Sequence, residues 1–571
     1  MSTADGRRRA RHSGRQSTRR RVTLIDGVSA VLSRIAPGEL ENRPRVWLAA
    51  VIAGAVALTA LLVRIFVPSV VGMADDGDGF RMLCALGLAG DRPFTADPSR
   101  AVYPLWNSAE WFGRACPPSP AAPFATQYLF VALAQAISPL FGAALDLRVL
   151  GGLLALAVAL LVVALVRYLP GSTPFRLVIA AAVVVILLDS SFIDFFVSAD
   201  REGVELVAVL AAFVALLILW GGYADRVTTL DIPPRGVAAN LLAVGLAVLV
   251  TLTSPLLAGA FLPGFVIGLL WVPRLRDLER VRSRPVGRAL PGDRRREFAR
   301  KVARRAPALV ACAVLVGLTG AHVAVDATRD QRAEVYDGIF LTILPSSSTP
   351  ESDLEWFGLD ARLAGASGAA STTTAAAEVF ADAAFSEIAA SDVILFTVTH
   401  PERIVALADR GMAAIASPQQ AGRGNFLDVR LDDDGELLHD TRWVPVQWGS
   451  RLLYSVPLLI PAGQIAGILM SLALAFSGAG SVRSRSLGWA TFFLLLGSAI
   501  IFWSTLLAPH TRLSEALLPV TLVVWLTVPL LLACAALRLA SGAPPKSAIL
   551  EPEPKNSWIA AATRIAAPPS P

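Results

Sequence analysis

The chain has 571 residues, 54% hydrophobic and 17% charged, with a formal net charge of +6. Soluble domains carry more charge than this, and several apolar runs reach the roughly 20 residues that cross a bilayer. The composition therefore excludes a soluble globular protein and predicts a mainly α, polytopic helical membrane protein. The positive balance does not point to nucleic acid, because the basic residues form two blocks beside apolar runs, Arg7–Arg21 and Arg274–Arg305. That is the positive-inside pattern.

Residues 1–45 are rich in Arg and Ser with weak periodicity, which predicts a disordered cytoplasmic tail able to lie on anionic membrane lipid. Residues 46–325 form a transmembrane module. Its first span, about Val46–Ile65, is too long, and its basic leader too extended, for a cleaved signal peptide, so it reads as an anchor. An outer loop, 66–148, follows. It holds the acidic stretch Met73–Arg81, Trp106, Trp111 and the Pro-rich Cys116–Pro123.

The apolar stretches before Arg274 are 46–65, 124–145, 149–166, 176–193, 204–221, 237–253 and 256–272. Two cytoplasmic basic blocks require an even number of crossings between them, so one stretch does not cross. Phe124–Leu145, interrupted by Gln127, Gln135, Ser138 and Pro139, is assigned to the outer interface. The pair 237–253 and 256–272 is broken at Ser254-Pro255. The block Val272–Arg305, with thirteen Arg and Lys against four acids, is placed inside. Pro307–Val325 then leads out to residues 326–451, which are acid-rich, lack a spanning run and read as an extracytoplasmic domain. Residues 452–540 carry three further spans, about 452–476, 487–507 and 517–537, and 541–571 is a Pro-rich cytoplasmic tail. The sum is about ten spans in the cell membrane with both termini inside. Abundant Ala, Val and Arg with little Lys fits a high-GC bacterial sequence.

Cys312 and Cys534 lie in apolar runs and read as packing residues. Cys84 and Cys116 share the first outer loop, where a disulfide between them would persist.

The chemistry concentrates at two acidic sites. Asp75, Asp76 and Asp78 sit at the mouth of the first span, with Gly77 and Gly79 leaving the backbone free to turn. A carboxylate cluster held against lipid is where a general base or a ligand for a divalent cation can sit. Taken alone, a solvated turn capping the next helix is the simpler account. The second site is Asp194, Asp200, Arg201, Glu202 and Glu205. There Arg201 and Glu205 fall at i,i+4 spacing, and Asp200 and Glu202 suit a helix N-terminus, so ordinary helix-end chemistry is the competing account. Two such sites on successive outer loops can converge on one cavity. A transporter would bury ionisable residues near mid-membrane, whereas these runs are clean of charge and the most inward carboxylate, Asp189, lies near the end of its span. Asp432–Asp434, before Gly435, reads as a solvated turn or a cation site. His322 and His400 read as structural.

The order of one span, an acidic motif in the first outer loop, interfacial segments and a second acidic loop resembles the GT-C class of polytopic glycosyltransferases. More narrowly, Ala74-Asp75-Asp76-Gly77-Asp78-Gly79-Phe80-Arg81 resembles the Ala-Asp-Asn-Gly-Asp-(x)-(x)-Arg pattern of bacterial glycan-biosynthesis hexose transferases of the WsfD type. Val335–Leu344, Ser348-Thr349-Pro350-Glu351-Ser352-Asp353-Leu354 and Phe357-Gly358-Leu359-Asp360 are similar to that group's outer domain. His400-Pro401 and Gly424-Asn425-Phe426 also match fixed points of it. Asp76 replaces the motif's Asn, the second loop (Asp194–Glu202) has little identity, and Thr253-Ser254-Pro255 stands where a Lys-Pro-Gln is expected.

The resemblance implies transfer of a sugar from a polyprenyl-phosphate donor to a cell-surface glycan acceptor. It makes Asp75 and Asp78, with Asp76 beside them, the catalytic carboxylates. Substrate would be held by Arg81, Asp200, Arg201, Glu202, His510 and Arg512, the cations taking the donor phosphate. For Arg512 an interfacial anchor is an equal account. A non-catalytic scaffold of envelope glycan assembly is the alternative from another class, and a transporter or flippase the third.

Overall fold

In the computed structural model, residues 43–73, 82–83, 86, 107–108, 125–221, 235–282, 291–326, 331–369, 374–418, 442–456, 458–477, 482–507 and 513–542 are described. The protein is a helical membrane protein. Helix α1 spans Arg43–Phe66, and strand β1 is Asn107–Ser108. Helix α2 is Thr126–Ile137, strand β2 Leu145–Asp146, α3 Leu147–Tyr168, α4 Thr173–Leu187 and α5 Glu202–Gly221. Then come α6 (Arg235–Thr251), α7 (Pro255–Arg282) and α8 (Pro291–Asp326). The next domain includes α9 (Pro350–Trp356), α10 (Ala390–Thr399) and α11 (Pro401–Ala416). The chain closes with α12 (Pro445–Tyr454), α13 (Leu459–Ala475), α14 (Val482–Leu507) and α15 (Leu518–Gly542).

Among the described residues six helices are long and apolar enough to cross a membrane. The count becomes eight when each of two bent pairs, Thr173–Leu187 with Ser190–Val197 and Pro445–Tyr454 with Leu459–Ala475, is one span. Two shorter apolar helices, Ala238–Thr251 and Pro255–Leu270, fall on the remaining segments predicted to cross.

Helix α5 is the hub. Its sequence is apolar on every side, which predicts a fully buried helix, and its apolar window is buried throughout. Helices α3, α6, α7, α14 and α15 pack around it, and α1 packs on the outside of α3. At its C-terminal end Trp220 stacks on Trp489 and Phe493, with ring centroids 4.9 and 5.6 Å apart. Close packing of α1 on α3 depends on Gly54, where a Cβ would lie 2.4 Å from a methyl of Val163.

The predicted interfacial stretch Phe124–Leu145 is α2 followed by a 3₁₀ turn at Ser138–Phe141. Its outer face exposes Leu129, Leu133, Leu140 and Phe141, and its inner face packs on α3. Thr126 and Ser138 fasten this stretch at its two ends. The Thr126 hydroxyl donates to the Leu249 carbonyl at 2.8 Å, and its backbone N–H to Leu252 at 2.9 Å, closing the end of α6. Ser138 bonds the Asp146 N–H at 2.8 Å, and Asp146 caps α3 and chelates Arg148. Strands β1 and β2 pair antiparallel, Asn107 opposite Asp146, so part of the first loop is pinned to the start of α3.

Residues 335–396 have their own core, with Tyr336, Phe340, Phe357, Phe385 and Phe396 buried together, while Ile415 of α11 joins the main core. A π-helical turn, Asp337–Ile343, stacks Phe340 on Tyr336 at 4.7 Å. The Arg410 side chain donates to the Leu341 and Thr342 carbonyls at 2.6 and 3.2 Å, tying that turn to α11, and burial lowers its pKa from the usual value. His400 stacks on Phe396 at 4.2 Å, and His322 contacts the Thr251 carbonyl at 3.1 Å. Both histidines thus make packing or backbone contacts. Cys312 and Cys534 are free and buried. Cys84 and Cys116 lie outside the described residues.

Candidate functional site

The chain between α4 and α5 does not form a simple loop. Asp189 ends α4 by accepting the Ser191 N–H at 2.9 Å, which starts a short turn, Ser190–Ile193. A 3₁₀ turn, Asp194–Val197, continues it, and this pair of turns is bent 70° from α4. Irregular backbone at membrane depth is stable only where protein or a polar cavity surrounds it. Phe192, Ile193, Phe195, Phe196 and Val197 are indeed buried in the main core.

Ser198 is extended and starts the polar part of the site. Its hydroxyl donates to Asp200 Oδ2 at 3.0 Å and accepts the Asp200 N–H at 3.2 Å. Glu202 and Glu205 follow in the first turn of α5, where the helix dipole favours negative charge. Asp194, Asp200, Glu202 and Glu205 are all buried. Arg201, its side chain 48% exposed, lies 3.7 Å from both Glu202 and Glu205. Those distances exceed a charge-assisted hydrogen bond, and Arg201 forms an ion pair with each carboxylate. The predicted i,i+4 relation of Arg201 and Glu205 is present, inside a buried cluster.

Two sequence-distant segments close on this cluster. The Gln127 amide of α2, at the end of the first loop, donates to the Ala199 carbonyl. Ser254, from the Thr253-Ser254-Pro255 break, faces the Glu205 carboxyl, and its hydroxyl accepts the Leu257 N–H at 3.3 Å. The first loop, the second loop and the break between α6 and α7 thus meet at the mouth of α5. Gln127 and Ser254 escaped the reading of the sequence as site residues because their polarity was absorbed into other assignments, a weak span and a missing lysine. The usable signal was a neutral polar residue beside an otherwise apolar helix end.

Asp189 belongs to a different feature. Its Oδ2 accepts the Val446 N–H at 2.6 Å, the Ser190 N–H donates to the Trp443 carbonyl at 2.9 Å, and Arg64 donates to the Ser190 hydroxyl at 2.7 Å. Arg442 adds a 2.8 Å bond to the Val67 carbonyl. This is a clamp joining the ends of α1 and α4 to the segment before α12.

Asp200 and Glu202 are buried at the start of α5, with the half-exposed Arg201 between them in sequence. Asp75, Asp76, Asp78, Arg81, His510 and Arg512 lie outside the described residues, as do Gly424-Asn425-Phe426 and Asp432–Asp434. The residues flanking the first-loop motif are described: Met73 and Met82 are both buried in the main core. In the short helix Leu513–Ala516, Glu515 is buried beside α11. Among the described residues no group of three or more His, Cys, Asp or Glu is arranged to hold a metal ion.

The family model described as the YfdI N-terminal transmembrane domain matches residues 36–431. No curated protein and no solved structure matches the chain.

Proposed function

Because the chain belongs to the YfdI N-terminal transmembrane domain family, we propose that it is a membrane glycosyltransferase. It moves a sugar, by the narrower WsfD-type likeness a hexose, from a polyprenyl-phosphate donor to a cell-surface glycan acceptor. The observation that carries this reading is the meeting of Gln127, Ser198, Asp200, Glu202, Glu205 and Ser254 at one buried polar site with the exposed Arg201 at its edge. Buried ionisable groups at the end of a membrane helix are costly to keep and mark function more often than structure.

In the reaction the acceptor hydroxyl oxygen bonds the anomeric carbon while its proton passes to a carboxylate. The anomeric carbon–oxygen bond to the donor phosphate breaks, and its electron pair leaves on the polyprenyl phosphate. Asp75 or Asp78 is the base, with Asp76 raising the proton affinity of its neighbours through like-charge repulsion. Chain length supports that assignment. Asp75 is two residues from buried Met73, and Asp78 four from buried Met82. Extended chain reaches at most about 7 and 14 Å over those intervals, so neither carboxylate can travel far from the core. Arg81, His510 and Arg512 take the leaving phosphate, and Asp200, Arg201 and Glu202 hold sugar hydroxyls.

The test is Asp75→Asn and Asp78→Asn in a deletion strain, with surface glycan measured by mass analysis. Each change keeps shape and removes charge. At least one should cut glycan formation about 100-fold to 10,000-fold, the usual loss for a positioned general base. Wild-type glycan from both variants would overturn the assignment and favour a non-catalytic scaffold.

A further inference from the structure

We propose that α12 is an interfacial helix lying along the bilayer surface, with Trp448 and Leu452 seated between phospholipid head groups and acyl chains. This inference stands independently of the transfer reaction. Helix α12 meets α13 at a bend of 103°, so when α13 crosses the bilayer α12 runs along its surface.

The sides of α12 differ in chemistry. Val446 and Ser450, four residues apart, face the protein. The Trp525 indole N–H donates to the Ser450 hydroxyl at 3.1 Å, and Gly449 lets that ring approach so closely that a Cβ would meet it at 2.1 Å. Trp448 and Leu452, also four residues apart, are 69% and 70% exposed. Arg451, exposed as well, projects from a third side. A helix with a core side, an exposed aromatic and aliphatic side and an exposed cationic side matches a position at a membrane boundary.

The occupant is lipid because exposed apolar side chains continue from α12 onto α13, an apolar helix on which Leu459, Ile465 and Leu469 are exposed. One consequence concerns depth. The bond between the Val446 N–H and Asp189 holds the start of the second acidic segment at the level of this helix. That is the level of lipid phosphate groups.

The experiment uses full-length protein, its native cysteines replaced, in vesicles of phosphatidylethanolamine and phosphatidylglycerol. Nitroxide labels are placed by Trp448→Cys, Leu452→Cys and Arg451→Cys. Collision rates are compared for oxygen, which partitions into lipid, and a water-soluble nickel chelate. The oxygen-to-nickel ratio at 448 and 452 should exceed that at 451 about tenfold, as apolar immersion of one helix side requires. Equal ratios at all three positions would place the whole helix in water and overturn the proposal. Labels at 448 and 452 shielded from both reagents would show a protein neighbour, a second copy or another chain, and would overturn it equally. Each of 448 and 452 is an independent reading, so failure of one variant to fold leaves the other decisive.

Discussion

Asp353 illustrates how a sequence motif can carry architecture in place of chemistry. Its Oδ1 accepts from Arg403 Nη2 at 2.8 Å, and both side chains are buried. The same guanidinium donates to the Thr349 hydroxyl at 2.7 Å and to Ser348 at 3.4 Å. The run Ser348-Thr349-Pro350…Asp353 and the Arg403 that follows His400-Pro401 are therefore two halves of one fastening. Their spacing was legible in the sequence as a family likeness, but their mutual contact, fifty residues apart, was not. Removing one partner of a buried pair strands the other charge, at a cost of about 3–5 kcal/mol. Arg403→Met should accordingly lower the unfolding midpoint of the domain around Phe340 and Phe396, followed by near-ultraviolet circular dichroism or limited proteolysis. Adding Asp353→Leu should recover most of the loss, because the pair can be replaced by packed apolar groups. A double variant less stable than Arg403→Met alone would show that Asp353 has a partner that matters more than Arg403.

At the level of elements, the broken segment Ser190–Asp200 exists because α5 begins almost in contact with it. A Cβ on Gly203 would lie 2.3 Å from the Phe195 carbonyl oxygen and 3.1 Å from its carbon. Backbone cannot step aside as a flexible side chain does, so Gly203→Ala must move the 3₁₀ turn or the first turn of α5. Alanine normally gains up to about 1 kcal/mol over glycine inside a helix, and the clash reverses that sign here. Gly152→Ala on α3 is the matched control, since nothing lies within 4 Å of its Cβ. Gly203→Ala should lower both thermal stability in detergent and glycan formation, while Gly152→Ala leaves each at or above wild type. Equal behaviour of the two would mean that α5 and the 3₁₀ turn do not press on one another.

The helices themselves were legible, since apolar runs of fixed length need no tertiary information. The bends of 70° and 103° were not. Each is set by partners far away in the chain, such as the Val446 N–H on Asp189 and Trp525 on Ser450. Gln127 shows the same limit. In the sequence it weakens a span, and in the structure it bonds the Ala199 carbonyl.

For the molecule as a whole, the second acidic segment, the domain around Phe340 and Phe396 and α12 are tied together at one end of the helix bundle. The 188–205 segment is bonded to 442–446, and α11 packs on Leu513–Ala516 and on the end of α14. The positive-inside pattern predicts that this end faces outward. Thirteen Arg and Lys between 272 and 305 resist translocation, as does the Arg-rich start of the chain. Cysteine accessibility tests the assignment. Cys312 and Cys534 are buried and give little background, and Cys84 and Cys116 are replaced by serine. In that chain Ser347→Cys and Ser417→Cys should react with a membrane-impermeant maleimide added to whole cells. Ser283→Cys should react only after permeabilisation. Ser347 lies in the domain around Phe340, Ser417 directly after α11 and Ser283 between α7 and α8, so the three readings constrain one another. Labelling of Ser283→Cys in intact cells would invert the topology and put the acidic site in the cytoplasm. The sugar donor would then have to present its phosphate to the inner leaflet, which would end the surface-glycan reading even if Asp75 and Asp78 proved essential.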